Sequence, residues 1–81
     1  MLTNYDKAAD TLYLSFSSEF KKADLTEPYT SDILFRYINS KAIGVTILNY
    51  SFHDAELLEE LIFNELKIKV FLSDAELQRI S

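Results

Sequence analysis

Apolar residues concentrate in one pair of runs in the middle of the chain, and apolar and polar residues alternate most cleanly in a shorter stretch before it. Ile33 to Ile38 and Ile43 to Tyr50 are two apolar runs joined by Asn39-Ser40-Lys41-Ala42. The length and polarity of that connection predict a β-hairpin. Ile33, Phe35 and Tyr37 share one face of the first arm, and Leu34, Arg36 and Ile38 share the other. Both faces are largely apolar, which predicts strands covered on both sides. Gly44 sits near the start of the second arm, where a bulge or a close backbone approach is the expected reason for a glycine.

Thr11 to Phe16 alternates, with Leu12, Leu14 and Phe16 on one side and Thr11, Tyr13 and Ser15 on the other. This predicts a half-buried strand. Leu2 to Tyr5 reads as a shorter strand before it, joined through Asp6 to Asp10. The stretch from Ser17 to Asp32 is the least regular. Phe20, Ala23 and Leu25 suggest a short edge strand flanked by Lys21 and Lys22, and Pro28 is excluded from the middle of a sheet.

After Tyr50 the period lengthens. Leu57, Leu58, Leu61 and Ile62 fall on one face at 100° per residue, with Glu56, Glu59 and Glu60 opposite. The spacing predicts an amphipathic helix from near residue 52, opened by Ser51 as cap with Asp54 three residues on. A helix continued through Leu72 would place Val70 and Phe71 on its acidic face. The reading adopted therefore stops it near Asn64, a residue type that tolerates the left-handed closing turn. Residues 66–72 then alternate as a strand, with Leu66, Ile68, Val70 and Leu72 facing one way. Ser73 to Glu76 repeats the capping spacing and predicts a short C-terminal helix carrying Leu77 and Ile80. Asp-Ala-Glu-Leu recurs at 54–57 and 74–77, but acids and alanine are ordinary in a first helical turn.

The expected architecture is α+β. It comprises a small, mostly antiparallel sheet of four to five strands, one amphipathic helix packed on it and a short C-terminal helix. A single domain over residues 1–81 accommodates this, with a sheet core at 2–50 and a helix-strand-helix extension at 51–81.

Composition narrows the function classes. The chain of 81 residues has no cysteine, so disulfides and thiolate metal sites are excluded. Its formal charge is −5. Residues 1–40 carry six acids against four bases and residues 41–81 seven against four, so no basic half is concealed. This balance argues against nucleic-acid binding, which depends on neutralising phosphates, and against adhesion to anionic membranes. No run approaches the roughly 20 apolar residues of a membrane span, and the first residues do not form a signal peptide. A cytoplasmic protein is expected.

Candidate chemistry is sparse. Asp6 and Asp10 form a carboxylate pair of the right type for acid–base work or a hard cation. Turn shaping is the favoured role, because Lys7 intervenes and no glycine permits a tight ligand loop. His53 is the only histidine, and Asp54 beside it does not face it on a helix. No Gly-rich phosphate loop, nucleophile elbow or paired-histidine motif occurs, and no cofactor is expected. Glu56, Glu59 and Glu60 are read as a solvated face. Phe63 falls on the same acidic side, where it either closes the turn into residues 65–72 or anchors a partner.

Tyr5-Asp6-x-x-x-Asp10-x-Leu12-Tyr13-Leu14, with the later Ile43-Gly44-Val45-Thr46-Ile47-Leu48, resembles a family of small bacterial proteins known only as a domain of unknown function. The resemblance covers residues 2 to about 50. Thr46 stands where that pattern carries Glu, and Arg36 where it often carries Asp. The resemblance implies a compact antiparallel sheet and, for some members, one half of a toxin–antitoxin-like gene pair.

Three functions follow as expectations. The first is a non-enzymatic interaction module, self-associating as a dimer or contacting a basic protein, with Phe63, Glu56, Glu59 and Glu60 as the candidate contact residues. The second is a small acid–base enzyme using Asp6, Asp10 or His53. The third is a small-ligand binder with a pocket between sheet and helix.

Overall fold

The computed structural model describes residues 1–72. The chain divides into two compact units, with the boundary between Tyr50 and Ser51.

The first unit is a five-stranded antiparallel sheet. Its strands are β1 (Leu2–Asp6), β2 (Thr11–Ser15), β3 (Leu25–Pro28), β4 (Ile33–Ile38) and β5 (Lys41–Ile47), in the order β1-β2-β5-β4-β3. The β1–β2 hairpin and the β3–β4–β5 meander meet at the β2–β5 pair in the centre. Register explains which residues are buried. Tyr5, Leu12, Ile47 and Ile33 form one cross-strand row, and Thr3, Leu14, Val45 and Phe35 the next. Leu12, Leu14, Ile33, Phe35, Val45 and Ile47 are all buried. The opposite face carries Asn4, Tyr13, Thr46 and Leu34 in one row and Leu2, Ser15, Gly44 and Arg36 in the other.

The expectation of strands covered on both sides holds for β5, where Gly44, Val45, Thr46 and Ile47 are all buried, and fails for β4 on that second face. Leu34, Arg36 and Ile38 are only half-buried. The Arg36 guanidinium lies over Gly44 and donates to the Lys21 carbonyl, which ties the 16–24 connection to this face. Ser15 is buried and satisfies its hydroxyl locally, donating to the Glu19 carbonyl at 2.6 Å.

The hairpin is tighter than its sequence suggested. Its loop is the two residues Asn39 and Ser40, with φ of 50° and 66°. Two consecutive left-handed residues match the twist of the flanking strands, the geometry of a type I′ turn. Gly44 fulfils both expectations for its position. Arg36 pairs with Gly44 and Tyr37 with Ala42, leaving Ile43 as the extra residue of a bulge. A Cβ on Gly44 would also collide with the Leu14 carbonyl oxygen.

Several strand boundaries in this unit also move. The edge strand lies at Leu25–Pro28, later than the Phe20 to Leu25 expectation, because Asp24 donates its N–H to the Tyr37 carbonyl and so starts the pairing there. Pro28 sits at the last position of that edge strand, where a missing N–H is tolerated. β5 ends at Ile47 instead of Tyr50, since Asn49 turns left-handed at φ 53° and Tyr50 enters a 3-10 turn, Tyr50–Phe52.

The second unit contains α1 (Ala55–Leu66). It starts three residues later than expected. Its cap is Asp54, whose Oδ1 accepts from the Glu56 N–H at 2.8 Å and the Leu57 N–H at 3.3 Å, while the 3-10 turn occupies residues 50–52. The helix also ends two residues beyond Asn64. Lys67 is the left-handed residue, φ 58°, and its N–H reaches the Phe63 carbonyl at 2.8 Å. Leu58, Ile62 and Leu66 are spaced four apart, so stopping at Asn64 would take Leu66 off the apolar row. Ala55, Leu58 and Ile62 are its buried residues, whereas Leu57, assigned to the apolar face by the wheel, is 64% exposed.

Residues 67–71 do not form the expected strand: no described strand pairs with them. Their alternation is nonetheless real, with Val70 and Leu72 buried and Lys67, Lys69 and Phe71 exposed. The segment is extended without a ladder. The proposed C-terminal helix at Ser73 to Ile80 lies outside the described residues.

Candidate functional site

Asp6, Asp10 and Tyr5 belong to a turn. Asp6 closes the β1 end by accepting the Ala9 N–H at 3.2 Å. Asp10 takes a left-handed backbone, φ 51°, which Asp adopts more readily than most residues. Its Oδ1 accepts the Tyr5 hydroxyl at 2.5 Å, and its carbonyl accepts the Tyr50 N–H at 2.9 Å. Tyr5 and Tyr50 meet edge to face at 5.8 Å. The tyrosine-aspartate opening is therefore a fastener joining β1, the β1–β2 turn and the end of the sheet. The two carboxylates are used on local partners, as their turn-shaping reading requires.

His53 is half-buried, immediately before the helix cap Asp54. Among the described residues, no group of three or more His, Cys, Asp or Glu side chains gathers as a metal-ligand set. Arg36 and Thr46 lie on the same face of adjacent strands, where they line a shallow depression with Asn4, Tyr13 and Phe20. That depression contains a cation and hydroxyls but no carboxylate.

The four candidate contact residues come together in the second unit. Glu56, Glu59, Glu60 and Phe63 form one wall of a groove of about 370 Å³, and Lys69, Val70 and Phe71 form the other. The first wall is α1. The second is the extended segment after it, held by a hydrogen bond from the Leu72 N–H to Glu59 Oε2 at 2.5 Å. Glu59 thus departs from the solvated-face reading: it satisfies a backbone donor and fastens the two walls. Phe63 and Phe71 are 46% and 54% exposed. Each has a lysine near its ring, Lys67 at 5.9 Å from the Phe63 centroid and Lys69 at 5.7 Å from that of Phe71. Such contacts hold an aromatic ring at the surface.

Sequence reasoning missed Lys69, Val70 and Phe71 as a wall. The available signal was Phe71, an aromatic on the otherwise charged parity of residues 65–71.

The fold and the groove define a small α+β protein, with an antiparallel sheet unit followed by a helical unit that carries an acidic, aromatic cleft. The chain belongs to the family described as Protein of unknown function (DUF2283), whose model matches residues 3–51. No curated protein and no solved structure matches it. The matched residues cover the sheet, and the groove lies beyond them. No helix among the described residues is long and apolar enough to cross a membrane.

Proposed function

We propose that this chain is a non-enzymatic interaction module whose groove between α1 and residues 69–71 receives an apolar segment flanked by cations. One observation carries this reading: three glutamates and two half-exposed phenylalanines line a single concave surface. Aromatic anchors supply most of the energy at such contacts, and complementary charge selects the partner. A basic protein from a two-gene pair has the chemistry the groove demands, and the acidic chain would neutralise it. The enzyme reading has less support. Asp6 and Asp10 are engaged in the β1–β2 turn.

The test is binding of a fluorescent peptide of alternating lysine and leucine, with a glutamate–leucine peptide as control. The wild-type chain binds the lysine peptide and ignores the control. Phe63→Ala weakens binding by about tenfold or more, as expected for an anchor residue, and Glu56→Lys with Glu60→Lys abolishes it. Equal affinity of all variants for the lysine peptide would overturn the proposal.

A further inference from the structure

The second face of the sheet carries an arginine that no carboxylate neutralises. Among the described residues, Arg36 makes one side-chain hydrogen bond, to the Lys21 carbonyl, and has no acidic partner. Its cross-strand partner Gly44 has no side chain, and Nη1 lies 3.2 Å from where a Cβ would stand. The Lys21 carbonyl holds the other terminal nitrogen. The guanidinium is thus seated by contacts that use only a minority of its N–H groups.

Asn4, Tyr13 and Thr46 are cross-strand neighbours on β1, β2 and β5, and Arg36 stands diagonally from Thr46 on β4. With Phe20 they line a depression of about 340 Å³. Among the described residues, the side chains of Tyr13 and Thr46 make no hydrogen bond. Thr46 is only 9% exposed, yet no buried side-chain polar atom is left without a partner, so its hydroxyl opens into the depression it lines. A sheltered hydroxyl with no protein partner calls for one from outside the chain. A guanidinium, two hydroxyls and an amide offer donors on one concave surface with no carboxylate to oppose an anion. The three terminal oxygens of a phosphate monoester use more of those donors than the two of a carboxylate. Phe20, 46% exposed, adds an apolar ring beside them. The volume suits a small molecule, and the net charge of −5 opposes a polyanion.

We infer that this depression is a binding site for a small phosphate monoester, its phosphate on Arg36, Tyr13 and Thr46 and its organic group against Phe20. The site belongs to the sheet unit and does not depend on the groove's role.

Amide NMR titration of the full chain with phenyl phosphate at physiological salt tests it, with inorganic phosphate and benzoate titrated alongside. Phenyl phosphate shifts the amides of Asn4, Tyr13, Arg36 and Thr46 and saturates at low millimolar concentration. Inorganic phosphate lacks the ring and benzoate the third oxygen, so each binds several-fold more weakly. Arg36→Lys keeps the charge, loses the planar fork and weakens binding by about tenfold or more. Thr46→Val is near-isosteric, removes only the hydroxyl and weakens binding by about tenfold, the loss of one hydrogen bond to a charged group. Should Arg36→Lys disturb the connection it ties down, Thr46→Val decides alone. Absence of shifts at these residues in wild type overturns the inference, as does undiminished binding by Thr46→Val. Benzoate binding as tightly as phenyl phosphate overturns the phosphate assignment, and inorganic phosphate doing so overturns the role of Phe20.

Discussion

Gly44 has room for nothing larger than hydrogen. On one side is the Leu14 carbonyl of the neighbouring strand, and an Arg36 guanidinium nitrogen would lie 3.2 Å from an added Cβ. The arginine can swing away, but the carbonyl belongs to the central β2–β5 ladder and cannot move without opening it. Gly44→Ala is therefore expected to cost about 2 kcal/mol or more, read as a lower urea midpoint. An unchanged midpoint would mean that the bulge at Ile43 absorbs the methyl group. Tyr5 is the second residue whose role is specific. Its ring packs on Tyr50 and its hydroxyl bonds to the Asp10 carboxylate. Tyr5→Phe keeps the ring contact and removes only the hydroxyl, so a loss of about 1 to 2 kcal/mol is expected, the worth of a partly sheltered bond to a charged acceptor. The Asp10→Ala and Tyr5→Phe effects should be non-additive in a double-mutant cycle.

Elements show where sequence logic held and where it failed. The period-2 stretch at 11–16 and the apolar runs at 33–38 and 43–50 predicted the strands, but β2 is more than half-buried, since Thr11 and Ser15 on its polar face are buried along with Leu12 and Leu14. Gly44 was readable because only a close approach or a bulge requires a glycine within a strand. Helix ends were less readable. Ser51 and Asp54 both suit a cap, and the choice fell to Asp54 because residues 50–52 continue from the sheet as a 3-10 turn. At the other end, Asn64 looked like the stop. The apolar row through Leu66 carried the helix one half-turn further, to a left-handed lysine that no propensity rule favours. Residues 67–71 alternate like a strand, yet pairing depends on a neighbour that a linear pattern does not reveal. The groove was half legible for the same reason: Glu56, Glu59, Glu60 and Phe63 lie on one predicted helix face, while Phe71 approaches them only through the turn at Lys67. The hairpin offers a test at this scale. Ser40 is held left-handed at φ 66°, where a side chain costs about 1 kcal/mol and glycine little. Ser40→Gly creates the Asn-Gly pair preferred by this turn and is expected to raise the thermal midpoint. A lowered midpoint would show that the serine hydroxyl has a role the turn geometry does not explain.

At the scale of the whole molecule, the two units carry different kinds of feature. The family match covers the sheet, whose tyrosine-aspartate motif is accounted for by a turn fastener. The acidic, aromatic groove lies beyond the match, in the helical unit. The proposed function is contact through that groove, with the sheet motif contributing stability. The most direct test is a two-dimensional amide NMR titration of the full chain with the lysine–leucine peptide. The account predicts shifts concentrated between Glu56 and Phe71, with the amides of Asp6 through Asp10 unmoved. Shifts centred on Asp6 and Asp10, with residues 56–71 silent, would contradict it.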